Sequence, residues 1–319
     1  MKTRIFLGFA AALAFLLASS AWAQYPERPI RVVIPFPAGG SFDTITRAIT
    51  APMAQMLGQP IVVDARPGAD GVIAGDFVAK AAPDGYTLLL GSATGFSYAP
   101  AKRKSLPYDP VADFTPIGRV VDFGFFLFTA PSLPVRNLAE LVVHLKANPT
   151  HLNHGSTSSS ALLVSIMFAR AQNLEFAQVP YKGDAQLFPD LLTGRIDFSF
   201  APASLMPYVK EGKLRVLATT LPTRSPLAPD APTLAEAGLD PLPIESWVAF
   251  FGPARMPRDV VMRINAALNA ALARPEVRES MARMATQARP STPEELAVLV
   301  KDQLAAWRRA AQSAGIQPE

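Results

Sequence analysis

Apolar and polar residues alternate along the chain in short blocks that predict strands and helices in turn. Ile30–Ile34 is an apolar, β-branched run typical of a buried strand, and Pro35–Gly40 after it continues neither a strand nor a helix. Ser41 is a suitable N-cap, and apolar residues then recur at helical spacing through Ile49. We therefore predict a strand, a loop and a helix, with a kink or an early helix end at Pro52.

The same order of strand, loop and helix recurs further along the chain, which is typical of parallel α/β units. The later strands are predicted at Ile61–Asp64, Thr87–Leu90, Leu152–Gly155, Ile196–Phe200 and Leu214–Thr219. Helices are predicted at Val72–Ala82, Leu138–Ala147, Ala161–Gln172, Phe188–Thr193, Leu205–Glu211, Asp259–Ala273, Glu276–Ala285 and Pro293–Ala314.

Two apolar stretches are predicted to carry the chain between two lobes. Thr115–Val121 and Phe123–Ala130 are extended runs that are interrupted only near Asp122, and Ile244–Phe251 is suited to the return crossing. We therefore expect a first lobe built from residues 24–122 and 246–319, and a second lobe built from residues 123–245. Ligands of open parallel sheets bind beyond the carboxyl ends of the strands. The small-residue loops at 35–40, 91–95, 156–160 and 179–183 are predicted to lie there.

The first 23 residues have the features of an export signal. Lys2 and Arg4 precede the apolar run Ile5–Leu17, and Ala21-Trp22-Ala23 forms an A-x-A cleavage site. The apolar run is shorter than the roughly 20 residues that span a membrane. We expect cleavage after Ala23 and a mature protein in the periplasm.

Composition excludes several classes of protein. The chain has no cysteine, which excludes disulfides and a lipid anchor on cysteine. The formal charge of +4 falls to +2 without Lys2 and Arg4. A charge this small and scattered does not suit a nucleic-acid surface.

The first loop and helix suit a small anion. The N–H groups at the start of a helix have no helical partner and attract negative charge. Gly39 and Gly40 have no Cβ, so a carboxylate can approach the main chain closely. The alternative is an ordinary strand-to-helix turn, because Gly-Gly turns are common.

A series of short motifs in a fixed order resembles one family, the periplasmic solute-binding proteins of tripartite tricarboxylate transporters, or Bug family. The motifs are Y-P-x-R-P-I (Tyr25–Ile30), P-F-P-A-G-G-S-x-D (Pro35–Asp43), R-P-G-A (Arg66–Ala69), A-A-P-D-G-Y-T-L-L-L-G (Ala81–Gly91), L-P-Y-D-P (Leu106–Pro110), D-F-T-P (Asp113–Pro116), V-P-Y-K-G (Val179–Gly183), D-L-L-x-G-x-I-D (Asp190–Asp197), G-K-L-R-V-L-A (Gly212–Ala218) and S-W-x-x-F-F-x-P (Ser246–Pro253). They extend over essentially all of the mature chain.

The resemblance implies an α/β fold of the two-lobed, type II periplasmic-binding-protein architecture, with two crossing strands and an interlobe cleft. It also implies a receptor rather than an enzyme, which captures a small organic carboxylate by hinge closure and delivers it to a membrane permease. We expect a monomer that binds no cofactor, metal or nucleic acid. A receptor that presents its ligand to a membrane signalling partner is the alternative, and an exported hydrolase is a third class.

The resemblance further implies that four loops contact the ligand through main-chain N–H groups, hydroxyls and bound water. The candidate ligand-binding residues are Phe36, Ala38, Gly39, Gly40, Ser41, Asp43, Ser92, Thr94, Ser156, Thr157, Ser158, Ser159, Tyr181, Lys182 and Ala201. Asp43 either accepts a hydrogen bond from a protonated ligand or complements the helix dipole. Lys182 either pairs with the ligand carboxylate or is solvated.

Two departures from the family pattern bear on the ligand. Ala201 stands where the family often has an acid, which argues against an amino-acid ligand. Phe42 stands where small polar residues are usual, and Phe36, Phe96 and Tyr98 are available to line the same mouth. These aromatics indicate a larger or aromatic carboxylate. The alternative is that they pack inside the lobes.

Other chemistry finds little support in the sequence. His144, His151 and His154 are the only histidines and need not converge on a metal. Ser156 lies near His154, but no G-x-S-x-G elbow is present. The loop Gly91–Gly95 is not followed by the G-K-[ST] of a phosphate loop.

Overall fold

The computed structural model describes residues 25–148, 153–157, 159–181, 184–221, 223–239, 244–284, 286–313, 315 and 318. The predicted signal peptide at 1–23 lies outside these ranges, as do the candidate ligand residues Ser158 and Lys182 and the histidine His151.

Strands and helices alternate through the described chain. The strands are β1 (Ile30–Ile34), β2 (Ile61–Ala65), β3 (Thr87–Ser92), β4 (Phe114–Phe123), β5 (Phe126–Thr129), β6 (Asn153–Ser156), β7 (Ala177–Pro180), β8 (Phe198–Ala201), β9 (Arg215–Thr219), β10 (Ser246–Pro253) and β11 (Thr286–Ala288). The α-helices are α1 (Ser41–Leu57), α2 (Val72–Ala79), α3 (Ala99–Lys102), α4 (Leu138–Ala147), α5 (Ser159–Ala171), α6 (Asp184–Leu192), α7 (Met206–Lys210), α8 (Arg258–Ala273), α9 (Pro275–Arg283) and α10 (Pro293–Ser313). Short 3-10 helices occupy Ala69–Gly71 and Ala203–Leu205, and a π-helical turn occupies Thr94–Tyr98.

Two sheets form the centres of two lobes, as the sequence predicts. The first sheet has the order β11-β4-β10-β3-β1-β2, with β1 parallel to β2 and β3 and with β10 antiparallel to its neighbours. The second has the order β7-β6-β8-β5-β9, with β6 parallel to β7 and β8. Strands before residue 124 and after residue 245 build the first sheet, and strands between 126 and 219 build the second. The exact lobe boundaries stay a prediction.

Both faces of each sheet are covered, which explains the continuous apolar runs of the strands. In β1, Ile30, Val32 and Ile34 face one apolar cluster with α1 and α8, whereas Val33 faces a second cluster. The second cluster contains Trp247 of β10. The period of two along β1 therefore separates two cores on opposite faces of one sheet.

Helix α1 differs from its prediction at Ser41 and at Pro52. Its N-cap is Gly40 in an extended conformation, so Ser41 is the first helical residue. The helix also continues through Pro52 to Leu57. Ile49 and Met53 are fully buried on either side of Pro52, and this packing offsets the hydrogen bond that proline removes.

The stretch predicted as the loop Gly91–Gly95 is largely regular structure. Gly91 and Ser92 extend β3, and the π-helical turn starts at Thr94. Phe96 in that turn stacks on Phe251 with ring centroids 4.2 Å apart. A Cβ on Gly91 would lie 2.6 Å from the Phe96 ring, so glycine makes this packing possible.

The expectation that Phe96 and Tyr98 line a ligand mouth is wrong. Their side chains are only 1% and 3% exposed, and Tyr98 packs edge-on against Trp307. Burial of two large aromatic surfaces outweighs their proximity in sequence to a strand end.

The two crossings leave the first lobe side by side. Phe123, the last residue of β4, pairs with Ser246, the first residue of β10. Phe125 is tied to the second lobe, because its N–H donates to the Thr220 hydroxyl and its carbonyl accepts from the Thr220 N–H, both at 2.9 Å. The strand break therefore falls at Gly124–Phe125 rather than near Asp122.

An ion cluster fixes the lobe-1 side of both crossings. The Arg119 guanidinium contacts Asp122, near the end of β4, and Glu245, just before β10. Asp122 also accepts a hydrogen bond from Arg289 at 2.9 Å. Burial raises the pKa of Asp122, and the Arg119 and Arg289 guanidinium groups oppose that rise. The short strand β11, which no apolar pattern predicted, completes this edge by pairing with β4.

Helix α5 belongs to the second lobe but packs partly on the first. Leu163 is fully buried in the cluster that contains Trp247 and Trp307, and Met167 packs against the same cluster. The two lobes are therefore in apolar contact behind the crossings.

His154 of β6 is enclosed in the second lobe and is not exposed at all. Its Nε2 lies 2.5 Å from the Ser165 hydroxyl, which itself lies 2.9 Å from the Ala161 carbonyl. The hydroxyl has one hydrogen, so it either donates to the Ala161 carbonyl and accepts from Nε2–H or donates to Nε2. Burial lowers the pKa of His154 from 6.5 to about 3. A ring in this position stays neutral at physiological pH.

This burial predicts a pH-dependent stability. The unfolded chain takes up a proton on His154 below pH 6.5 and the folded chain does not, so stability falls as pH decreases from 6.5 towards 3. Between pH 6.5 and pH 5 the wild type should lose about 2 kcal/mol more than His154→Gln. Urea unfolding of both proteins at the two pH values measures the difference. Equal losses in the two proteins would contradict the assignment.

Candidate functional site

A cleft of about 1470 Å³ lies between the lobes and is lined by both. The first lobe contributes the segments that follow β1, β2 and β3, and the second contributes those that follow β6, β7 and β8. Phe123, Gly124 and Phe125 line the cleft where the chain crosses. The cleft therefore lies at the carboxyl ends of the parallel strands of both sheets.

The loop after β1 is held by Asp43. Gly39 has φ +80°, and its N–H donates to the Asp43 carboxylate at 2.9 Å. Arg47 pairs with the same carboxylate at 2.9 Å. The hydrogen bond with Arg47, followed by the one from Gly39, lowers the pKa of Asp43. The Gly39 N–H thus has a partner within the protein, and the donors left for an anion are those of the first turn of α1, which no side chain caps.

The second lobe presents a matching wall. Ser156 ends β6, Thr157 follows it, and α5 starts at Ser159. The Ser156 carbonyl accepts the Tyr181 N–H at 2.9 Å, which holds the segments after β6 and β7 together. Ser160, in the first turn of α5, also lines the cleft.

Tyr181 lines the cleft with its ring rather than with a free hydroxyl. Its hydroxyl donates to Asp190 at 2.8 Å. Desolvation, followed by this hydrogen bond, raises the pKa of Tyr181 to about 12, so the phenol stays protonated at neutral pH.

The cleft brings together most of the candidate ligand residues that the structure describes. Those on its surface are Phe36, Ala38, Gly39, Gly40, Thr94, Ser156, Thr157 and Tyr181. Ser41 and Ser159 are the first residues of α1 and α5. Contacts between these residues and a ligand stay a prediction.

Three candidates lie off the cleft surface. Asp43 is buried and holds the loop instead. Ser92 is buried within β3, opposite Val248, because the strand is two residues longer than its apolar core predicts. Ala201 is fully buried at the end of β8, opposite Phe126.

Sequence reasoning missed several residues that line the cleft. Apolar residues on the second lobe are Leu162, Met206 and Leu227, and the charged residues of the lining are Asp70, Lys210 and Arg283. Phe123 and Phe125 flank Gly124 at a predicted crossing between the lobes, and this position was the sequence signal that could have identified them as lining residues. Asp70 follows R-P-G-A in a turn after a strand, which was the signal for that carboxylate.

Neither His144 nor His154 lines this cleft. His154 is enclosed in the second lobe and bonds Ser165 rather than Ser156. Within the described ranges, no group of His, Cys, Asp and Glu side chains is arranged to hold a metal ion. In the same part of the chain, no helix combines the length and the apolarity of a membrane span.

Residues 45–316 match the family described as the tripartite tricarboxylate transporter family receptor, TctC. The chain belongs to this family. The protein BugT of Bordetella pertussis (strain Tohama I) is 33% identical over 318 residues, which cover 97% of this chain and 96% of BugT. This agrees with the Bug-family resemblance drawn from the motifs.

Solved structures agree with the assignment. Rpa4515 of R. palustris, with adipate, has a TM-score of 0.82 and 30% identity, covering 92% of this chain and 100% of that one. MatC of Rhodopseudomonas palustris, with bound malate, has a TM-score of 0.76 and 32% identity, covering 90% and 99%. The TctC-family chain is accordingly a two-lobed periplasmic binding protein and a solute receptor rather than an enzyme.

Two glycines offer a matched test of the loop after β1. Gly39 (φ +80°) and Gly58 (φ +75°), the C-cap of α1, are both left-handed and both have open space where a Cβ would stand. Alanine at either position should cost about 1–2 kcal/mol of stability through backbone strain. Only Gly39→Ala should also weaken ligand binding, because Gly58 lies away from the cleft. Urea unfolding and calorimetric titration measure the two effects. Equal binding by both variants would contradict a ligand role for this loop.

Proposed function

We propose that this chain is a periplasmic receptor that captures an organic carboxylate with a large apolar or aromatic body and delivers it to a tripartite tricarboxylate-type permease. The observation that carries the proposal is the composition of the cleft. The start of α1, which no side chain caps, and the start of α5 face it, and aromatic side chains line it beside them. The first feature suits a carboxylate and the second suits an apolar body.

The carboxylate is assigned to the helix starts. Main-chain N–H groups in the first turns of α1 and α5 have no helical partner, and such groups bind anions without a side-chain cation. Hydroxyls of Thr94, Ser156 and Thr157 lie on the same cleft. The relatives MatC and Rpa4515, with malate and adipate, show that this fold accommodates carboxylates.

The apolar body is assigned to the phenylalanines. Phe36 and Phe42 are half-buried, with ring centroids 4.4 Å apart and planes inclined by 44°. Phe123 lines the cleft where the chain crosses, and the buried Phe125 packs behind it edge-to-face at 6.3 Å. An aromatic ligand ring gains area burial and ring contacts from such walls, whereas citrate or malate gains little.

Delivery is assigned to closure about the crossings. A ligand that touches both lobes favours the conformation in which the lobes approach, and a permease that recognises this conformation distinguishes loaded from empty receptor. Lys2, Arg4 and the A-x-A site at Ala21–Ala23 support export to the periplasm. Because one chain supplies both walls of the cleft, we expect a functional monomer.

A thermal-shift panel tests the ligand class. Phenylacetate, benzoate and terephthalate should raise the unfolding temperature, because a ligand at 100 times its Kd stabilises the folded state by about 2.7 kcal/mol. Citrate, malate and aspartate should have little effect. Stabilisation by citrate or amino acids alone would refute the aromatic assignment.

The phenylalanine pair gives a sharper test. Phe42→Leu should weaken binding of the best aromatic carboxylate by about tenfold, since an aromatic pair contributes up to about 1.5 kcal/mol. The matched control is Phe188→Leu, which removes a half-buried ring that stacks on Tyr208 in the second lobe, away from the cleft lining. Calorimetric titration measures the ligand affinity of both variants. An equal loss of affinity in the two would show that Phe42 does not contact the ligand.

A further inference from the structure

Asp70 brings a carboxylate into a cleft that otherwise suits an anion. It belongs to the short 3-10 helix Ala69–Gly71 that follows β2, and it is the only acidic residue among the described residues that line the cleft. An acid at this place opposes the ligand carboxylate unless it contacts a different part of the ligand. Asp70 therefore needs a role other than contact with the ligand carboxylate.

The backbone around Asp70 is held in an unusual conformation. Gly68, Ala69, Asp70 and Gly71 all have positive φ, at 130°, 50°, 59° and 90°. The left-handed region is costly for residues other than glycine, and such strain persists only where the surroundings enforce it. Asp70 lines the cleft from within this turn.

The surroundings are the other two lobe-1 segments of the site. A Cβ on Gly71 would lie 3.2 Å from Cβ of Pro35, in the loop after β1, and 3.8 Å from Cα of Gly95, in the π-helical turn. Gly95 is itself fixed, because its carbonyl accepts the Tyr108 hydroxyl at 2.9 Å. The loop that carries Asp70 is thus wedged between two segments that line the cleft.

Arg103 offsets part of the charge of Asp70. The Arg103 Nη2 lies 3.6 Å from an Asp70 carboxylate oxygen, and the two side chains are 35% and 30% exposed. Arg103 lines a separate surface cavity and not the cleft. At this distance the pair is not a hydrogen bond, and within the described residues the Asp70 carboxylate accepts none. Its lone pairs are available to a donor in the cleft.

We infer that Asp70 selects carboxylates that also carry a hydroxyl group, by accepting a hydrogen bond from that hydroxyl. The inference rests on the proposed function and refines its ligand class. A hydroxyl brings a donor without a charge, so it suits a carboxylate whose charge Arg103 already balances in part. An ammonium group would meet the same guanidinium and the positive end of α1, which disfavours an amino acid.

Matched ligands and variants test the inference. Phenylacetate is compared with mandelate and with 4-hydroxyphenylacetate, which add a hydroxyl at either end, and with phenylglycine, which adds an amine. The native chain should bind at least one hydroxy acid about tenfold more tightly than phenylacetate. Asp70→Gly removes the acceptor and tolerates the left-handed backbone, so it should abolish that preference without weakening phenylacetate binding.

Arg103→Gln is the control variant. It breaks the ion pair and leaves the acceptor in place, so the preference for the hydroxy acid should survive. If Asp70→Gly weakens all ligands equally, or Arg103→Gln reproduces its effect, Asp70 only holds Arg103 and the inference is wrong. A gain confined to phenylglycine would also overturn it.

The two proposals fail in different ways. Tight binding of phenylacetate with no advantage for either hydroxy acid would leave the proposed function standing and reject the role of Asp70. Failure of all four compounds to bind the native chain would reject the aromatic assignment and this inference together.

Discussion

The parallel strands of both sheets end at the same cleft, and the rest of the site depends on this constraint. A parallel strand needs a crossover helix, and the helix that follows begins at the carboxyl edge of the sheet. In the first lobe this places the start of α1 beside the π-helical turn after β3. In the second it places the start of α5 beside the segment after β7. Main-chain donors from the starts of two helices, one in each lobe, are thereby collected at one cleft.

Two sets of charges beside the cleft are paired within the protein. Asp43, which stands in the first turn of α1, is taken up by Gly39 and Arg47. Its negative charge therefore stabilises the loop rather than repelling a ligand carboxylate. The Arg119–Asp122 cluster does the same for the crossings, where it joins both chain segments on the lobe-1 side. The crossing continues through Gly124 to Phe125, whose N–H donates to the Thr220 hydroxyl of the second lobe.

The sequence predicted those parts of the fold that have a local signal. Strand β1 starts and ends where its apolar run does, because a strand buried on both faces is continuously apolar. The π-helical turn and β11 were missed, since both depend on partners distant in sequence: Phe251 for Phe96, and β4 for β11. The continuation of α1 through Pro52 was also missed, because it depends on the tertiary packing of Ile49 and Met53.

The site was predicted to the level of its loops and less well to that of single residues. Strand ends locate a cleft, but a strand longer by two residues moves Ser92 into the sheet. Ala201 is buried in the same way at the end of β8. Asp70 was missed because its exposure depends on four left-handed residues, and no pattern of side chains in a turn specifies how its backbone bends.

The apolar contact behind the crossings has a practical consequence. Trp247 and Trp307 are both fully buried in the first lobe, in the cluster that receives Leu163 and Met167 from α5, and the third tryptophan, Trp22, belongs to the predicted leader. Any sliding of α5 during closure alters the packing around both indoles. Intrinsic fluorescence of the processed protein thus becomes a label-free gauge of lobe movement.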